Sequence, residues 1–435
     1  MEQLRGKQLK KLGKRLRDAE IPDTADLDKL QQYRHSYKDV IAEIFAIISN
    51  CAKPICPGVI SAFRIKRIDS IIGKLRRLRG KLELDSMVDI AGCRFIVNKD
   101  SEIYKIVDLL HDTPLVITRV NRNIGNNPKE TGYKSVHIHA YLEKYGEDRP
   151  VEIQLRTHIH HNWATFVETI DLLYGLRIKE GVKDEKKAEM YDDFYRFHRI
   201  MSKSDAKKSQ EEKLYLLDKI VKYDVIGGLN HIILSNVARV RSQWLQLKHT
   251  RSGSPTCYVI STRKDTPPQI LGFTSFEKAE AVYYTMFAEN KDNANIVLLN
   301  MPGATYEQLT VAYSNYLLVG HEFMHSFNQL SIEMFDLSSN LLTEQLKPYF
   351  NYYNRALKCY NDYIGQEHSL LRIVRHLPRE IQQEWLNDVN KRYKELFDDN
   401  MHVQQKLYHR YLYEQKHSLL GKFWLKLRLK YFGNL

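Results

Sequence analysis

Four β-patterned segments lie between residues 91 and 157: AGCRFIV (91–97), LVITRV (115–120), YKSVHIHAYL (133–142) and VEIQLRT (151–157). One helix-patterned segment, SEIYKIVDLLHD (101–112), and one polar loop, NRNIGNNPKETG (121–132), separate them. That order requires a mixed sheet backed by helices. VEIQLRT alternates strictly. Val151, Ile153 and Leu155 face one way, and Glu152, Gln154 and Arg156 the other. An acid, an amide and a guanidinium in a row on one sheet face need a purpose.

The chain has 435 residues, too many for one ordinary core. Its patterns divide it into a basic arm (1–24), an α+β domain (25–205), a helical linker with a small α/β domain (206–335) and a largely helical region (336–435). Strand and helix signals alternate in TCYVIST, QILGFTS, EKAEAVYYTMFAEN and NIVLLN, which places the small α/β domain at about 255–320. The five cysteines are scattered and read as free thiols. The basic N-terminal segment has no apolar core behind it, so no signal peptide is expected. No apolar run approaches the ~20 residues of a membrane span, and a cytoplasmic protein is expected. The net charge of +13 favours a polyanionic partner: nucleotide phosphates, nucleic acid or an acidic lipid surface.

Four stretches carry polar residues suited to phosphate chemistry. FRIKRIDSIIGKL reads as a helix with Lys66, Ser70 and Lys74 on one face, able to clamp a polyphosphate beside Arg64. In MVDIAGCRFIV, Asp89 precedes a strand, where a magnesium ligand commonly sits. Gly92 permits close backbone approach, and Arg94 lies within the strand. In NPKETGYKSVHIH, Tyr133 beside a glycine offers a stacking platform, with Lys129, Ser135 and His137 nearby. In VEIQLRT, Glu152 can act as a base or metal ligand and Arg156 can hold a phosphate. Each stretch alone has an ordinary structural reading: a solvated basic face, a turn aspartate, a packed histidine, a polar row facing water.

Taken together and in order, RIKRIDSIIGKL, DIAGCR, GYKSVH, VEIQLRT and WAT resemble the synthetase domain of the RelA/SpoT family over about residues 40–175. The resemblance implies a nucleotidyltransferase-like fold. It implies transfer of the β,γ-pyrophosphate of ATP to a ribose 3′-hydroxyl, with magnesium as cofactor and AMP released. In those terms Arg64 and Arg94 would sandwich the adenine, and Lys66, Ser70 and Lys74 would hold the phosphates. Asp89 and Glu152 would bind magnesium, Glu152 also activating the hydroxyl. Lys129, Tyr133, Ser135, His137, Gln154 and Arg156 would surround the acceptor. Glu168 joins this set, although Thr169 stands where the family often has histidine. The acceptor implied first is GDP or GTP, giving (p)ppGpp. The alternative is the 3′ end of tRNA, a toxin chemistry used in phage defence, with the C-terminal region as inhibitor, sensor or docking point for a regulatory protein. A catalytically silent nucleotide sensor is a further alternative. Family members with a hydrolase carry a His-Asp metal site, whereas His111-Asp112 falls inside the synthetase-like region, so synthesis without hydrolysis is expected. Homo-oligomers are common among small members.

Two motifs stand outside this resemblance. GHEFMHSF contains the zincin spacing His321, Glu322, His325, but no clear third ligand follows, so a packing or surface role is expected. KFWLKLRLKYFGNL interleaves Lys422, Lys426, Arg428 and Lys430 with Phe423, Trp424, Tyr431 and Phe432. That composition suits RNA or a membrane surface, or a helix packed through Trp424 and Leu427.

Overall fold

The computed structural model describes residues 4–123, 133–203, 207–249, 254–263, 266–289, 295–319, 329, 343–365, 367–409 and 418–432. The basic segment at the start is a docked helix, α1 (Lys7–Asp18), which buries Leu9, Leu12 and Leu16 at helical spacing. The next helical pattern breaks at Ser36 and Tyr37 into α2 (Thr24–His35) and α3 (Lys38–Ile55). The segment FRIKRIDSIIGKL, expected to be helical throughout, divides instead. Its first residues end β1 (Ile60–Ile65), and α4 (Ile68–Arg77) begins after a turn. Lys66 is therefore in the turn, off the helix that carries Ser70 and Lys74.

β2 (Ala91–Val97), α5 (Asp100–Leu110), β3 (Val116–Asn123), β4 (Ser135–Tyr141) and β5 (Val151–Thr157) follow the expected order. α6 (His158–Tyr174), α7 (Ala188–Met201), α8 (Gln210–Gly227) and α9 (Leu229–Lys248) then lead to β6 (Cys257–Thr262), β7 (Gln269–Phe273), α10 (Phe276–Glu289) and β8 (Asn295–Asn300). Two short helices, α11 (Tyr306–Ala312) and α12 (Ser314–Leu317), come next. The helical remainder comprises α13 (Thr343–Gly365), α14 (Glu367–Val374), α15 (Arg379–His409) and α16 (Leu419–Phe432).

Among the described residues the eight strands form one sheet in the order β3-β4-β5-β2-β1-β8-β6-β7. The expected small α/β domain thus contributes strands to the first sheet and has none of its own. Its bond to the first half is antiparallel pairing of β1 with β8, Phe63 to Asn300 and Arg64 to Leu299. β2 and β5 run parallel; the other neighbours are antiparallel.

Strand alternation sorts the side chains onto two faces. Phe63, Phe95, Val136, Ile153, Val259 and Leu298 join one core with α1 to α5 and α10. On the opposite face, Ala62, Ile96, Tyr258, Ile260, Val297 and Leu299 pack with α9, α11 and α12 over the β1-β8-β6-β7 half. The β4-β5-β2 half of that second face carries the polar row. Phe350, Tyr352, Tyr353 and Tyr360 of α13 and Trp385 and Tyr393 of α15 are buried with α6 to α9 in a third cluster. The tyrosine-rich stretch is therefore core. Among the described residues no helix is long and apolar enough to cross a membrane.

Candidate active site

The polar row opens into a cavity of about 350 Å³ on the second sheet face. The parallel register sets Gly92 beside Glu152 and Arg94 beside Gln154, while β4 sets His137 beside Gln154. A Cβ on Gly92 would lie 3.1 Å from the Glu152 carbonyl oxygen, so glycine lets the two strands close tightly here. The cavity is lined by Arg64, Lys66, Lys74, Asp89, Arg94, Tyr133, His137, Glu152, Gln154, Arg156 and Glu168. A second cavity of about 700 Å³ also includes Arg64, Lys66, Lys74 and Glu168 in its wall and adds Ser70, Arg67 and Asp171.

Two lysines converge on one oxygen of Asp89: Lys66 Nζ at 3.0 Å and Lys74 Nζ at 2.8 Å from Oδ2. Leaving the helix does not take Lys66 away from Lys74, because the turn after β1 points back at the start of β2. Burial alone would raise the Asp89 carboxyl, but the two ammonium groups outweigh it and lower its pKa. Burial lowers Lys66, and Asp89 only partly opposes it. Oδ1 of Asp89 is buried without a hydrogen-bond partner.

Glu152 is held on both oxygens. His137 Nδ1 donates to Oε1 (2.8 Å) and Gln154 Nε2 donates to Oε2 (2.7 Å). Burial pushes this carboxyl up, yet His137 and Gln154 overcome it and hold it well below the usual carboxylate range. The Tyr133 hydroxyl lies 2.8 Å from His137 Nε2 and accepts from Arg156 Nη2. Burial would raise the phenol, but Arg156 and then His137 bring it down to about 7. Arg156 also donates to Gln154 Oε1 (3.0 Å), so acid, amide and guanidinium form one linked network with Tyr133 and His137. The Arg156 guanidinium sits 5.0 Å from the Tyr133 ring centroid.

Two predicted residues lie off the first cavity. Ser135 is fully buried and donates to the Leu155 carbonyl (3.3 Å) while accepting from Arg156 Nε (3.4 Å). It backs Arg156 and does not line the cavity. Ser70 lines the second cavity and accepts from Arg67 Nε (3.1 Å). Lys129 lies outside the described residues, as do His321, Glu322 and His325.

Sequence reasoning missed the residues that close the cleft from α11 and α12. Arg64 Nη1 donates to the Tyr316 hydroxyl (2.9 Å), and the guanidinium groups of Arg64 and Arg67 each lie 5.9 Å from the Tyr316 ring centroid. Arg94 Nη1 donates to the Ala312 carbonyl (3.1 Å). Asn315 Nδ2 and Lys179 Nζ donate to opposite oxygens of Glu168. Burial raises the Tyr316 phenol, but Arg64 and Arg67 outweigh it and lower its pKa. Nothing local marks Tyr313-Ser-Asn-Tyr316 as part of a site. The β1–β8 pairing, with α12 packed on β6 and α6, carries it there.

Magnesium fits this donor set. Asp89 Oδ1 is an unsatisfied hard oxygen beside Glu152, and magnesium commonly takes one or two carboxylates and completes its shell with water and substrate phosphates. Among the described residues no three His, Cys, Asp or Glu side chains gather to hold a metal by themselves.

Residues 63–179 match the model of the region found in RelA / SpoT proteins. Over this stretch the chain resembles the RelA / SpoT region. It is 32% identical over 125 residues to the GTP pyrophosphokinase YjbM of Bacillus subtilis (strain 168), covering 28% of this chain and 59% of that enzyme. It is 32% identical over 133 residues to YwaC, a GTP pyrophosphokinase of the same strain, covering 28% of this chain and 63% of the relative. In both matches the chain spans less than two thirds of the relative's length. Among solved structures, the small alarmone synthetase 1 of B. subtilis bound to its product pppGpp aligns with a TM-score of 0.33 and 22% identity, over 39% of this chain and 91% of that one. A GTP pyrophosphokinase family protein of Streptococcus pneumoniae aligns at 0.33 and 21%, over 43% and 97%.

Proposed function

We propose that the chain is an ATP-dependent pyrophosphotransferase that moves the β,γ-pyrophosphate of ATP to the ribose 3′-hydroxyl of a guanosine nucleotide, GDP or GTP. The observation that carries this reading is the half-satisfied Asp89, clamped by Lys66 and Lys74 on one oxygen and buried without a hydrogen-bond partner on the other, in the cavity wall with the Glu152–His137–Tyr133 chain. The relatives named GTP pyrophosphokinase support it. Asp89 and Glu152 would hold a magnesium ion, which would offset phosphate charge when bound. Lys66 and Lys74 would shift from Asp89 onto the phosphates of ATP. Arg64 and Arg94 would receive the adenine.

The 3′-oxygen would attack the β-phosphorus, the bond to the α-phosphate's bridging oxygen would break, and AMP would leave. Glu152, ionised at neutral pH, would accept the hydroxyl proton. Its low intrinsic basicity would rise as the arriving polyphosphate offsets the surrounding cations. Tyr133, which lines the cavity with the Arg156 guanidinium against its ring, would stack on the acceptor base.

A second reading concerns residues 311–316. They occupy the two arginines that the adenine would use, Tyr316 on Arg64 and Ala312 on Arg94, and Asn315 holds Glu168 in the same cavity wall. This favours the C-terminal region as an inhibitor of a toxic synthetase, for which the 3′ end of tRNA is the alternative acceptor and a regulatory partner the releasing signal. One experiment separates these readings. Purified protein receives magnesium and β,γ-labelled ATP with GDP, GTP or deacylated tRNA. Label on GDP or GTP supports an alarmone synthetase, and label on tRNA supports the toxin. Labelled product from Asp89→Asn at the wild-type rate would overturn the assignment of roles.

A further inference from the structure

α16 presents four large apolar side chains to solvent. Leu419 is 89% exposed, Leu420 72%, Phe423 57% and Trp424 65%. Helical geometry puts Leu419, Leu420, Phe423, Trp424 and Leu427 on one arc. Leu425, on the opposite side, packs against the large helical core. The helix is therefore anchored by its back while its most apolar side faces outward. Packing through Trp424, one of the roles expected for this segment, is not what the structure has.

The charged residues of this segment have a single sign. From Gln415 to Leu435 there is no Asp or Glu, and the basic residues are Lys416, Lys422, Lys426, Arg428 and Lys430. Lys426 is exposed and precedes Leu427 on the helix. An apolar arc flanked by lysines, with an aromatic pair, has the composition of a helix that lies in a membrane interface. Phe423 and Trp424 meet edge to face at 6.4 Å, as a wedge.

We infer that α16 docks the protein onto an anionic lipid surface, lying in the headgroup plane with Leu419, Leu420, Phe423 and Trp424 inserted. Leu419 and Leu420 decide against a nucleic-acid partner. They are the most exposed of the four and have no ring to stack on a base, whereas insertion at the acyl boundary buries them. The lysines supply attraction to anionic headgroups, which salt screens.

The test uses the full chain and vesicles of phosphatidylcholine, with and without phosphatidylglycerol. Co-sedimentation is expected with the anionic vesicles, weakened by about tenfold or more without the anionic lipid or in high salt. The double variant Leu420→Ser, Trp424→Ser is expected to weaken it by about tenfold or more, with an unchanged melting curve, since both side chains are exposed. Loss of the blue shift in tryptophan emission on vesicle addition would mark Trp424 as the inserted group. Vesicle binding that the double variant leaves intact would overturn the inference. So would no vesicle binding, including the case where the same variant abolishes binding to RNA or to an acidic protein instead.

Discussion

Asp89 and Glu152 line one cavity, yet their surroundings are opposite. Asp89 has ammonium groups on one oxygen and nothing on the other, while Glu152 is bonded on both. Under the proposed chemistry Glu152→Gln keeps the fold and loses turnover by about 10²-fold or more, measured as AMP release beside an unchanged circular dichroism spectrum. Asp171 gives a prediction independent of the reaction. Burial raises its carboxyl to about 6, against the bonds it accepts from the Ile178 and Lys179 amides. Its folded pKa exceeds its unfolded one, so its favourable share of stability is present below about pH 4 and is lost as pH rises through about 6. Asp171→Asn removes this titration. The variant should gain on the wild type by about 2–3 kcal/mol between pH 4 and pH 7, read from denaturant midpoints at the two pH values. The types of the polar residues were legible in the sequence. The pairing of Lys66 with Lys74 was legible for the wrong reason: a helix face was expected, and a turn brings them together.

Elements meet at two places that leave little room. A Cβ on Gly13 of α1 would lie 2.7 Å from Leu84 Cβ and 3.2 Å from Leu84 N. Gly13→Ala should cost about 1–3 kcal/mol through this backbone-backed clash, seen as a lower melting temperature. That cost would show that the basic segment is a fixed helix. The other place is where α11 and α12 meet β1 and β2. Tyr316→Ala removes a hydrogen bond to Arg64 and ring contacts with two guanidinium groups. If residues 311–316 compete with ATP, it should tighten apparent ATP affinity by about 5–150-fold, the range of a 1–3 kcal/mol coupling, in equilibrium binding of a non-hydrolysable analogue. Unchanged affinity would leave Tyr316 as packing only. Element boundaries were the least legible feature, because FRIKRIDSIIGKL satisfies a helical period while its first residues, Phe63, Arg64 and β-branched Ile65, pair with β2.

At the scale of the molecule the continuous sheet has a measurable consequence. β1 is an interior strand only because β8 lies on its outer edge. Its amides should exchange with solvent as slowly as those of β2, and Leu299→Ala should speed exchange on both sides of the β1–β8 seam. Leu299 is fully buried, so the same change should cost about 2–5 kcal/mol. Two independent sheets would confine the effect to residues beyond 250.

Local pattern alone determined the mixed sheet, the order of β2 to β5 and which polar residue types share the Glu152 face. Period-two alternation needs only nearby sequence. The tertiary structure alone decided that β6 to β8 extend that sheet, that the tyrosines of α13 are core and that Tyr316 reaches Arg64. Each depends on pairing between segments roughly two hundred residues apart, where hydrophobic pattern says that a strand is buried but not which strand it lies beside.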